Sequence, residues 1–378
     1  MVKFIHTADW QLGMTRHFLA PAAQALYSEA RLDSLVEIGR LAREEGCAFV
    51  VVSGDVFESN HVHRDVVVRA LEALRSFDVP VYLLPGNHDP INAGSVYRSA
   101  MFTRNCPEHV VVLESGGAVR AEGTEVDVIG APWETKQPLE DLVARACSSL
   151  EPDERRMRVV VGHGAVDRTS PDPNSPSLIR LQPLESSIRS GCIHYVALGD
   201  RHSVTDVGST GRIWYSGTPV VTDFDEVEPN HVLVVDMDRE KIAVERRRIG
   251  NWAFVRRSLD VNSLRDVDAA REWLDGVADK RRTVVKLSFV GTLSLADKAA
   301  LDSTLAHFDD LFAALDYWER HMDLCITPDE GDLSDLGLSG FAAATMQELT
   351  RLAVSGGQQT GTAQDALGLL FRLSGAQR

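Results

Sequence analysis

Five short apolar runs in the first part of the chain end in side chains that bind metal ions or transfer protons. The polar residues after these runs are Asp9 with Gln11, Asp55, the triplet 87–89, His163, and Asp200 with His202. Asp, Asn and His supply the oxygen and nitrogen ligands that Mn²⁺, Mg²⁺, Fe and Zn²⁺ use in proteins. No cysteine is among them, which argues against a structural zinc site. The residue types therefore indicate metal-dependent chemistry.

The spacing adds a second argument, because each polar group directly follows an apolar run typical of a buried strand. A single Asp or His in this position is usually a turn or cap residue. In an open α/β sheet, however, the loops at the carboxyl ends of the strands meet in one crevice. Four of the five runs have a glycine before the polar residue, which permits a tight turn and a close approach of the backbone to a ligand. We therefore predict that the five groups converge.

Asp55 is the residue that we expect two metal ions to share. A carboxylate that bridges two ions is central to many phosphoesterases, in which the ions hold the phosphate, activate water and offset charge. The loop of Asp55 lies between the loops of Asp9 and Asn87 in the chain. This order makes Asp55 the natural bridge.

The elements that must position these residues alternate between strands and helices. Apolar residues at helical spacing predict helices over 22–45 and 64–77. Strands are predicted over 49–53 and 79–84, so the chain begins with βαβ units and a partly parallel sheet. Further strands are predicted at 110–113, 126–129, 159–161, 195–198, 213–215 and 232–235. Their close succession predicts a mixed sheet in one large α/β domain over residues 1–250.

The composition changes after Gly250, and a smaller α+β domain is predicted over residues 251–330. Its predicted elements are strands at 255–259, 284–290 and 311–317 and helices at 264–278 and 294–308. Pro328–Gly340 is rich in Asp and Gly, which is typical of a linker.

Residues 331–378 are predicted to be this linker and a helical tail, with helices at 341–354 and 363–373. The tail carries an apolar stripe formed by Leu349, Leu352, Leu367, Leu370 and Phe371. Such a stripe is usually core packing, but in an appended helical pair it is alternatively a face for a partner.

Composition and charge narrow the class of protein. Hydrophobic residues make up 44% and charged residues 25% of the chain, as in ordinary globular proteins. The net charge is −16, whereas a protein that coats DNA is usually basic. Action on nucleic acid would therefore need local patches, metal ions or a partner. Five cysteines without paired spacing suit reduced thiols in the cytoplasm, and we expect neither a signal peptide nor a membrane span.

The order of the motifs resembles the calcineurin-like metallophosphoesterases. The resemblance rests on Asp9-x-Gln11, Gly54-Asp55, Gly86-Asn87-His88-Asp89, Gly162-His163 and Gly199-Asp200-x-His202. It is closest to the SbcD-type subfamily of DNA-repair nucleases, because residues 6–13, 54–57 and 215–219 resemble further motifs of that subfamily. The resemblance spans about residues 3–235 and implies a mixed β-sheet sandwich flanked by helices. The small domain that follows resembles the cap of the same nucleases.

The resemblance also implies a role for each residue. It implies two divalent metal ions, for which we expect manganese, with magnesium as the alternative. The first ion would be held by Asp9, Gln11, Asp55 and His202, and the second by Asp55, Asn87, His163 and Asp200. His88 would lie beside the phosphate without binding metal and would protonate the leaving oxygen or stabilise charge in the transition state. Asp89 would orient and charge His88.

Two positions depart from the family, which usually has histidine at positions 11 and 200. Gln11 is a neutral amide and a weaker ligand than imidazole, so we expect weak or substrate-dependent occupancy of the first ion. Asp200 adds a negative charge, so we expect the second site to prefer Mn²⁺ or Mg²⁺ over Zn²⁺. The alternative is a site that has decayed, although the other predicted ligands and His88 remain in place.

By resemblance, the protein is a metal-dependent DNA phosphodiesterase, an exonuclease or endonuclease subunit that acts in DNA repair and recombination. The implied partners are DNA, an SMC-like ATPase of the SbcC type that binds the helical tail, and a second copy in a homodimer. Two alternatives stay open. One is a phosphoesterase with a substrate other than DNA, because one fold hosts many substrates. The other is a catalytically weakened subunit that clamps DNA or scaffolds the ATPase.

Other polar residues have two interpretations. His61 and His63 would touch DNA or metal in one, but a solvated loop is favoured. Arg201 would contact phosphate or pair with a carboxylate. Arg246–Arg248 and Arg256–Arg257 would follow a DNA backbone, but a solvated strand face is favoured.

Overall fold

The computed structural model describes residues 1–168, 170, 172, 174–326, 340–353, 355, 357 and 359–375. The chain divides into two compact units. The first comprises Met1–Arg16 and Gln24–Trp252, and the second comprises His17–Ala23 and Ala253–Arg378. Among the described residues, no helix combines the length and apolar character that a membrane crossing needs.

The first sheet of the first unit has six strands. In chain order they are β1 (Val2–Thr7), β2 (Phe49–Val52), β3 (Val81–Leu83), β4 (Val110–Val112), β11 (His231–Met237) and β12 (Ile242–Arg248). Their order across the sheet is β12-β11-β1-β2-β3-β4. The strands β1 to β4 pair in parallel, and β11 is antiparallel to both of its neighbours.

The second sheet of this unit also has six strands. They are β5 (Ala118–Arg120), β6 (Val126–Gly130), β7 (Met157–His163), β8 (Tyr195–Gly199), β9 (Thr205–Asp206) and β10 (Ile213–Tyr215), in the spatial order β5-β6-β7-β8-β10-β9. The four central strands are parallel and both edge strands are antiparallel. Both sheets are therefore mixed, as predicted.

The core of the first unit lies between the two sheets and under helices on both outer faces. The helices are α1 (Pro21–Glu44), α2 (Arg64–Leu74), α3 (Ala100–Asn105), α4 (Leu142–Cys147) and α5 (Leu181–Arg189), with a 3-10 turn at Val96–Arg98. The Phe4 ring stacks on Phe49 with 4.8 Å between centroids and meets Tyr195 of the other sheet edge-on at 5.5 Å. Burying each such side chain contributes roughly 1.5–3 kcal/mol. The strands are apolar on both faces because both faces are covered, and the result is the predicted sandwich flanked by helices.

Register brings the carboxyl ends of the parallel strands to one edge of each sheet. Thr7 of β1 pairs with Val52 of β2, and His163 of β7 pairs with Gly199 of β8. His6 connects the sheets near this edge, because its Nε2 lies 3.1 Å from the carbonyl oxygen of Leu198 and its Nδ1 lies 3.0 Å from the hydroxyl of Tyr195. The loops after these strands are therefore neighbours.

The second unit contains a four-stranded sheet. Its strands are β13 (Ala253–Asp260), β14 (Thr283–Leu293), β15 (Ala314–Tyr317) and β16 (Asp323–Ile326), with helices α6 (Leu264–Gly276) and α7 (Leu295–Asp309) and 3-10 turns at Lys280–Arg282 and Glu319–His321. The other three strands all pair in parallel with β14. The unit combines helices and strands, and the parallel pairing makes α6 and α7 crossover helices.

The C-terminal helices α8 (Phe341–Ala353) and α9 (Thr360–Gly375) belong to the second unit. The buried residues Met346, Ala353, Ala363 and Leu367 form one cluster with Leu295 and Ile326, and Leu349 and Leu352 pack against it. The described part of the apolar stripe is thus internal packing. The side chains of Leu370 and Phe371 and the predicted linker before Gly340 lie outside the described residues, and a partner-binding role for the tail stays a prediction.

Candidate metal centre

Three of the predicted ligands form a tight buried cluster. One ligand atom from each of Asp9, Asp55 and His163 lies within 4.8 Å of the other two. Asp9 follows β1, Asp55 follows β2, and His163 ends β7, so both sheets contribute. The convergence predicted from the strand ends is present for these three side chains.

The backbone at the predicted ligands is in a conformation that most residues avoid. The φ angles are +53° at Asp9, +48° at Gln11, +53° at Asp55 and +93° at Asp200. Within the described part of the chain, only seven non-glycine residues have positive φ, and these are four of them. Each such position costs on the order of 1 kcal/mol, although Asp tolerates it better than most residues. Strain of this kind is concentrated at functional sites.

The strained loops are fastened to each other by backbone hydrogen bonds. The Asp9 N–H donates to the carbonyl of Gly54 at 3.1 Å, and the Gln11 N–H donates to the carbonyl of Asp55 at 2.9 Å. Glycine is required where the loops meet side chains. A Cβ at Gly54 would overlap the imidazole of His163, and a Cβ at Gly86 would overlap the carboxylate of Asp55.

Both oxygens of Asp55 have neighbours on different sides of the centre. Oδ1 accepts from the backbone N–H of His88 at 3.0 Å and lies 3.5 Å from Nε2 of His163. Oδ2 accepts from Nε2 of Gln11 at 3.2 Å and lies 4.0 Å from Nε2 of His88. Asp55 is therefore the carboxylate on which the centre converges, as a bridging ligand would be.

His163 presents one nitrogen to the centre. Its Nδ1 lies 2.8 Å from the carbonyl of Ser53, and a carbonyl only accepts, so Nδ1 carries a proton. Its Nε2 faces Asn87 Oδ1 at 2.7 Å, Asp55 Oδ1 at 3.5 Å and Asp200 Oδ1 at 3.9 Å. Burial lowers the pKa of His163. The negative charges of Asp55, Asp9 and Asp200 together raise it by more, so the pKa lies well above its usual value.

His202 is oriented by a carboxylate that the sequence did not reveal. Its Nδ1 lies 3.0 Å from Oε1 of Glu226 and 2.6 Å from the hydroxyl of Thr222, which itself donates to Glu226. This leaves Nε2 directed to the centre, 3.9 Å from Oδ1 of Asp9. Burial lowers the pKa of His202, but Asp9 and Glu226 together raise it to about 9.

Gln11 lies in the centre and leaves its carbonyl oxygen without a hydrogen-bond partner. The side chain is buried, and its amide donates to Asp55, but Oε1 has no partner within the described chain. An unpaired buried oxygen costs about 1–3 kcal/mol. A cation is the natural group to satisfy it.

Asp200 contributes through its backbone as well as its side chain. Its N–H donates to both oxygens of Asp9 at 3.1 and 3.2 Å. Burial raises the pKa of Asp9 above its usual value, Asp55 and Asp200 add to this rise, and His202 and His163 oppose it. Asp9 therefore resists ionisation unless positive charge is added nearby.

His88 lies at the centre, but the structure corrects the role predicted for Asp89. Nδ1 of His88 lies 2.9 Å from the carbonyl oxygen of Glu58, which holds the ring. Asp89 is buried and does not orient His88. Its carboxylate accepts from the N–H groups of Gly86 and Phe57 and from the hydroxyl of Tyr97, at 2.7, 2.9 and 2.6 Å. Asp89 therefore stabilises the loop that carries Asn87 and His88.

The donor set fits divalent metal ions. It combines carboxylates and imidazoles with the amide oxygens of Gln11 and Asn87, and these are ligands that Mn²⁺ and Mg²⁺ accept. The unpaired oxygen of Gln11 marks a place where a cation would satisfy a buried acceptor.

The weaker candidates lie outside this cluster. His63 pairs with Asp65, and its side chain is 85% exposed, as expected of a solvated loop. Arg201 donates to the hydroxyl of Thr205 at 2.9 Å. Arg246 and Arg247 pair with glutamates, and the basic pair of the second unit stacks on tryptophans, Arg256 on Trp318 and Arg257 on Trp273. Each of these guanidinium groups thus has a contact within the chain, and a role for them in binding phosphate or following a DNA backbone stays a prediction.

Three solved structures resemble this chain in part and have low sequence identity to it. The protein TT1561 of Thermus thermophilus is 11% identical with a TM-score of 0.41, over 66% of this chain and 99% of its own. A dimetal phosphatase from Danio rerio is 13% identical with a TM-score of 0.42, over 65% of this chain and 96% of its own. Purple acid phosphatase PPD1 from yellow lupin is 12% identical with a TM-score of 0.39, over 65% of this chain and 51% of its own. At these TM-scores, the similarity supports no argument about substrate.

The family comparison concerns the unit that holds the metal centre. Residues 2–235 match the sequence model of the calcineurin-like phosphoesterases. This match covers more than half of the 378 residues and includes every predicted ligand. The chain therefore belongs to the calcineurin-like phosphoesterase family.

Proposed function

We propose that the protein is a metal-dependent DNA phosphodiesterase, the nuclease subunit of an SbcCD-like DNA-repair complex. The observation that carries the proposal is the buried cluster of Asp9, Asp55 and His163 with His88 at its side, in a chain of the phosphoesterase family. The choice of DNA as the substrate rests on the SbcD-like motifs at residues 6–13, 54–57 and 215–219.

In this proposal, two divalent ions bind, and Mn²⁺ is preferred to Mg²⁺. One ion would be held by Asp9, Gln11, Asp55 and His202, and the other by Asp55, Asn87, His163 and Asp200. When bound, such ions would neutralise phosphate charge and make water a better nucleophile. The amide nitrogen of Gln11 donates to Asp55, so the amide oxygen is the atom left to bind an ion. An amide oxygen is a weaker ligand than the imidazole usual at this position, and we propose weaker occupancy of the first ion.

Side chains of the protein would transfer the proton and hold the ligands in place. The imidazole of His88, held at Nδ1 by the carbonyl of Glu58, presents Nε2 to the phosphate and donates a proton to the leaving oxygen or stabilises its charge. The hydrogen bond that Nδ1 of His202 donates to Glu226 keeps Nε2 of His202 directed inward. The bonds to Asp89 keep the loop of Asn87 and His88 in place.

We also propose partners on the strength of the resemblance. They are an SMC-like ATPase of the SbcC type bound through the C-terminal helices, DNA, and a second copy in a homodimer. The five cysteines are free thiols, which suits a reducing compartment, and we propose the cytoplasm.

The first experiment is cleavage of duplex DNA with Mn²⁺ by wild type and His88→Ala at matched metal content. We expect cleavage by wild type that falls by about 10²–10⁴-fold in His88→Ala, with metal still bound. A small phosphodiester assayed in parallel separates DNA specificity from general phosphoesterase activity.

Two other outcomes would replace the proposal. Hydrolysis of the small ester without DNA cleavage would favour a substrate other than DNA. Absence of both activities, with or without the ATPase, would favour the decayed subunit that clamps DNA or scaffolds the ATPase, an interpretation to which the departures at Gln11 and Asp200 give some support.

A further inference from the structure

We propose that two carboxylates on the solvent side of the metal centre, Glu58 and Asp200, make it discriminate against doubly charged phosphomonoesters and in favour of singly charged phosphodiesters. The inference rests on the proposed function and assigns its substrate selectivity to particular residues. Glu58 is the cleaner of the two to test, because its side chain is not a proposed metal ligand and Glu58→Gln keeps the backbone carbonyl that holds His88.

Each of the two carboxylates lies next to a histidine that itself lies near Asp55. Oε1 of Glu58 lies 4.0 Å from Nδ1 of His88, whose Nε2 lies 4.0 Å from Oδ2 of Asp55. Oδ1 of Asp200 lies 3.9 Å from Nε2 of His163, and the same nitrogen lies 3.5 Å from Oδ1 of Asp55. A phosphate bound over Asp55 would therefore have one carboxylate behind the ring of His88 and another beside His163.

Exposure separates these outer carboxylates from the inner ones. The side chains of Asp200 and Glu58 are 37% and 34% exposed, whereas those of Asp9 and Asp55 are 0% and 3% exposed. A substrate that arrives from solvent meets the outer pair first. The inner pair lies beneath, where ligands to the ions belong.

Neither outer carboxylate forms a close ion pair with a guanidinium group in the described part of the chain. Among the described residues, the ion-pair contacts of Glu58 and Asp200 are with His88 and His163 respectively, and Oε2 of Glu58 is buried without a hydrogen-bond partner. Arg31 and Arg16 offset part of the charge of Glu58 without an ion-pair contact. Both arginines stay in place in a Glu58 variant, so the variant isolates the effect of the carboxylate.

The selectivity follows from the charge of the substrate. Coulomb energy is proportional to the product of the two charges, so a fixed carboxylate disfavours a dianion twice as much as a monoanion at the same distance. An aspartate at position 200 also leaves the ligand set one unit more negative than a neutral side chain would. Less positive charge therefore remains to balance a second charge on the phosphate.

The test uses two substrates with the same leaving group, bis(p-nitrophenyl) phosphate and p-nitrophenyl phosphate, with Mn²⁺-loaded protein at pH 8. The monoester is a dianion there, because its second pKa is about 6. We expect Glu58→Gln to lower the diester-to-monoester ratio of kcat/KM by about three- to tenfold. Asp200→Asn should do at least as much. The control Glu151→Gln, an exposed charge before the opposite end of β7, should leave the ratio unchanged.

Binding provides a readout that does not depend on turnover. Isothermal titration with phenyl phosphate and diphenyl phosphate, after metal content is measured, should show the dianion gaining about three- to tenfold more affinity than the monoanion in Glu58→Gln. Equal changes for both ligands, or none, would overturn the inference even if diesters are hydrolysed. The expected shift in a protein without turnover would support the inference and count against the proposed function.

Discussion

The pKa values of two buried histidines in the first unit are shifted in opposite directions by their surroundings. His6 lies in β1 between the sheets, with its ring nitrogens bonded to a carbonyl and a hydroxyl, and burial lowers its pKa to about 3. His163 is equally buried at the end of β7, but Asp55, Asp9 and Asp200 hold its pKa well above the usual value. Burial alone makes a neutral structural histidine, and it is the carboxylates that turn such a position into a place for positive charge.

The largest effect is expected when Asp55, the carboxylate that both ions would share, is replaced. In Asp55→Asn, we expect kcat/KM for a phosphodiester to fall by about a thousandfold or more, equivalent to about 4 kcal/mol, because both ions lose a charged ligand. The pKa of His163 should also fall toward that of His6, as measured by NMR titration of the metal-free protein. Metal-free melting temperatures of both proteins would show whether the fold is kept, and activity within tenfold of wild type would contradict the prediction.

The second test concerns stability and pH at His6. Its pKa is about 3 in the folded protein and about 6.5 when unfolded, so the unfolded chain binds the proton first as pH falls. The free energy of unfolding should therefore decrease from pH 6.5 downward, by about 2–3 kcal/mol at pH 4.5 from this group alone. Urea unfolding of metal-free wild type and His6→Gln measures the difference. Over this pH range, the free energy of unfolding should fall less in the variant than in wild type, and the difference should equal that amount. Equal decreases in both proteins would show that His6 does not titrate in this way.

The third test addresses the residue that orients His202. Replacing Glu226 with Gln keeps the size of the side chain but removes its charge, and second-layer carboxylates of this kind change metal affinity by about 10–100-fold. We expect Mn²⁺ affinity at the weaker site to fall by about tenfold, measured by isothermal titration. The control is Glu151→Gln, a charge change far from His202 in the sequence, and this variant should bind Mn²⁺ as wild type does.

The smallest expected effect is a gain. Gln11→His places a third imidazole beside Asp55, and imidazole is a stronger ligand than an amide oxygen, so the weaker ion should bind about several-fold to tenfold more tightly. The EPR signal of paired Mn²⁺ ions should then develop at lower metal concentration. Unchanged binding would show that Gln11 is not what limits occupancy.

Much of the site was predictable because it depends on strand ends. Parallel strands bring their carboxyl ends together wherever they occur, so Asp9, Asp55 and His163 could be placed in one cluster without knowledge of any loop. The sandwich itself followed from apolar runs that are buried on both faces. Helix α1 and strand β2 also lie within one residue of the predicted bounds.

What escaped prediction depends on the path of individual loops. Glu226 reaches His202 from a loop without periodicity, and nothing in its sequence distinguishes it from other surface glutamates. Asp89 follows His88 in the chain, but the turn directs its carboxylate inward to Gly86 and Tyr97. The short strand β16 and the parallel pairing around β14 depend on packing over the crossover helices, which composition alone does not specify.

The positive φ angles at the proposed ligands have a consequence for mutation over time. Glycine adopts such a backbone without steric cost, so Asp200→Gly would relieve roughly 1 kcal/mol of strain and keep the N–H that donates to Asp9. Asp9 and Asp55 differ, because their carboxylates accept backbone N–H groups, and a donor left without a partner costs about 1–3 kcal/mol. Position 200 is therefore where a gene copy released from selection would lose a proposed ligand at the least cost in folding free energy.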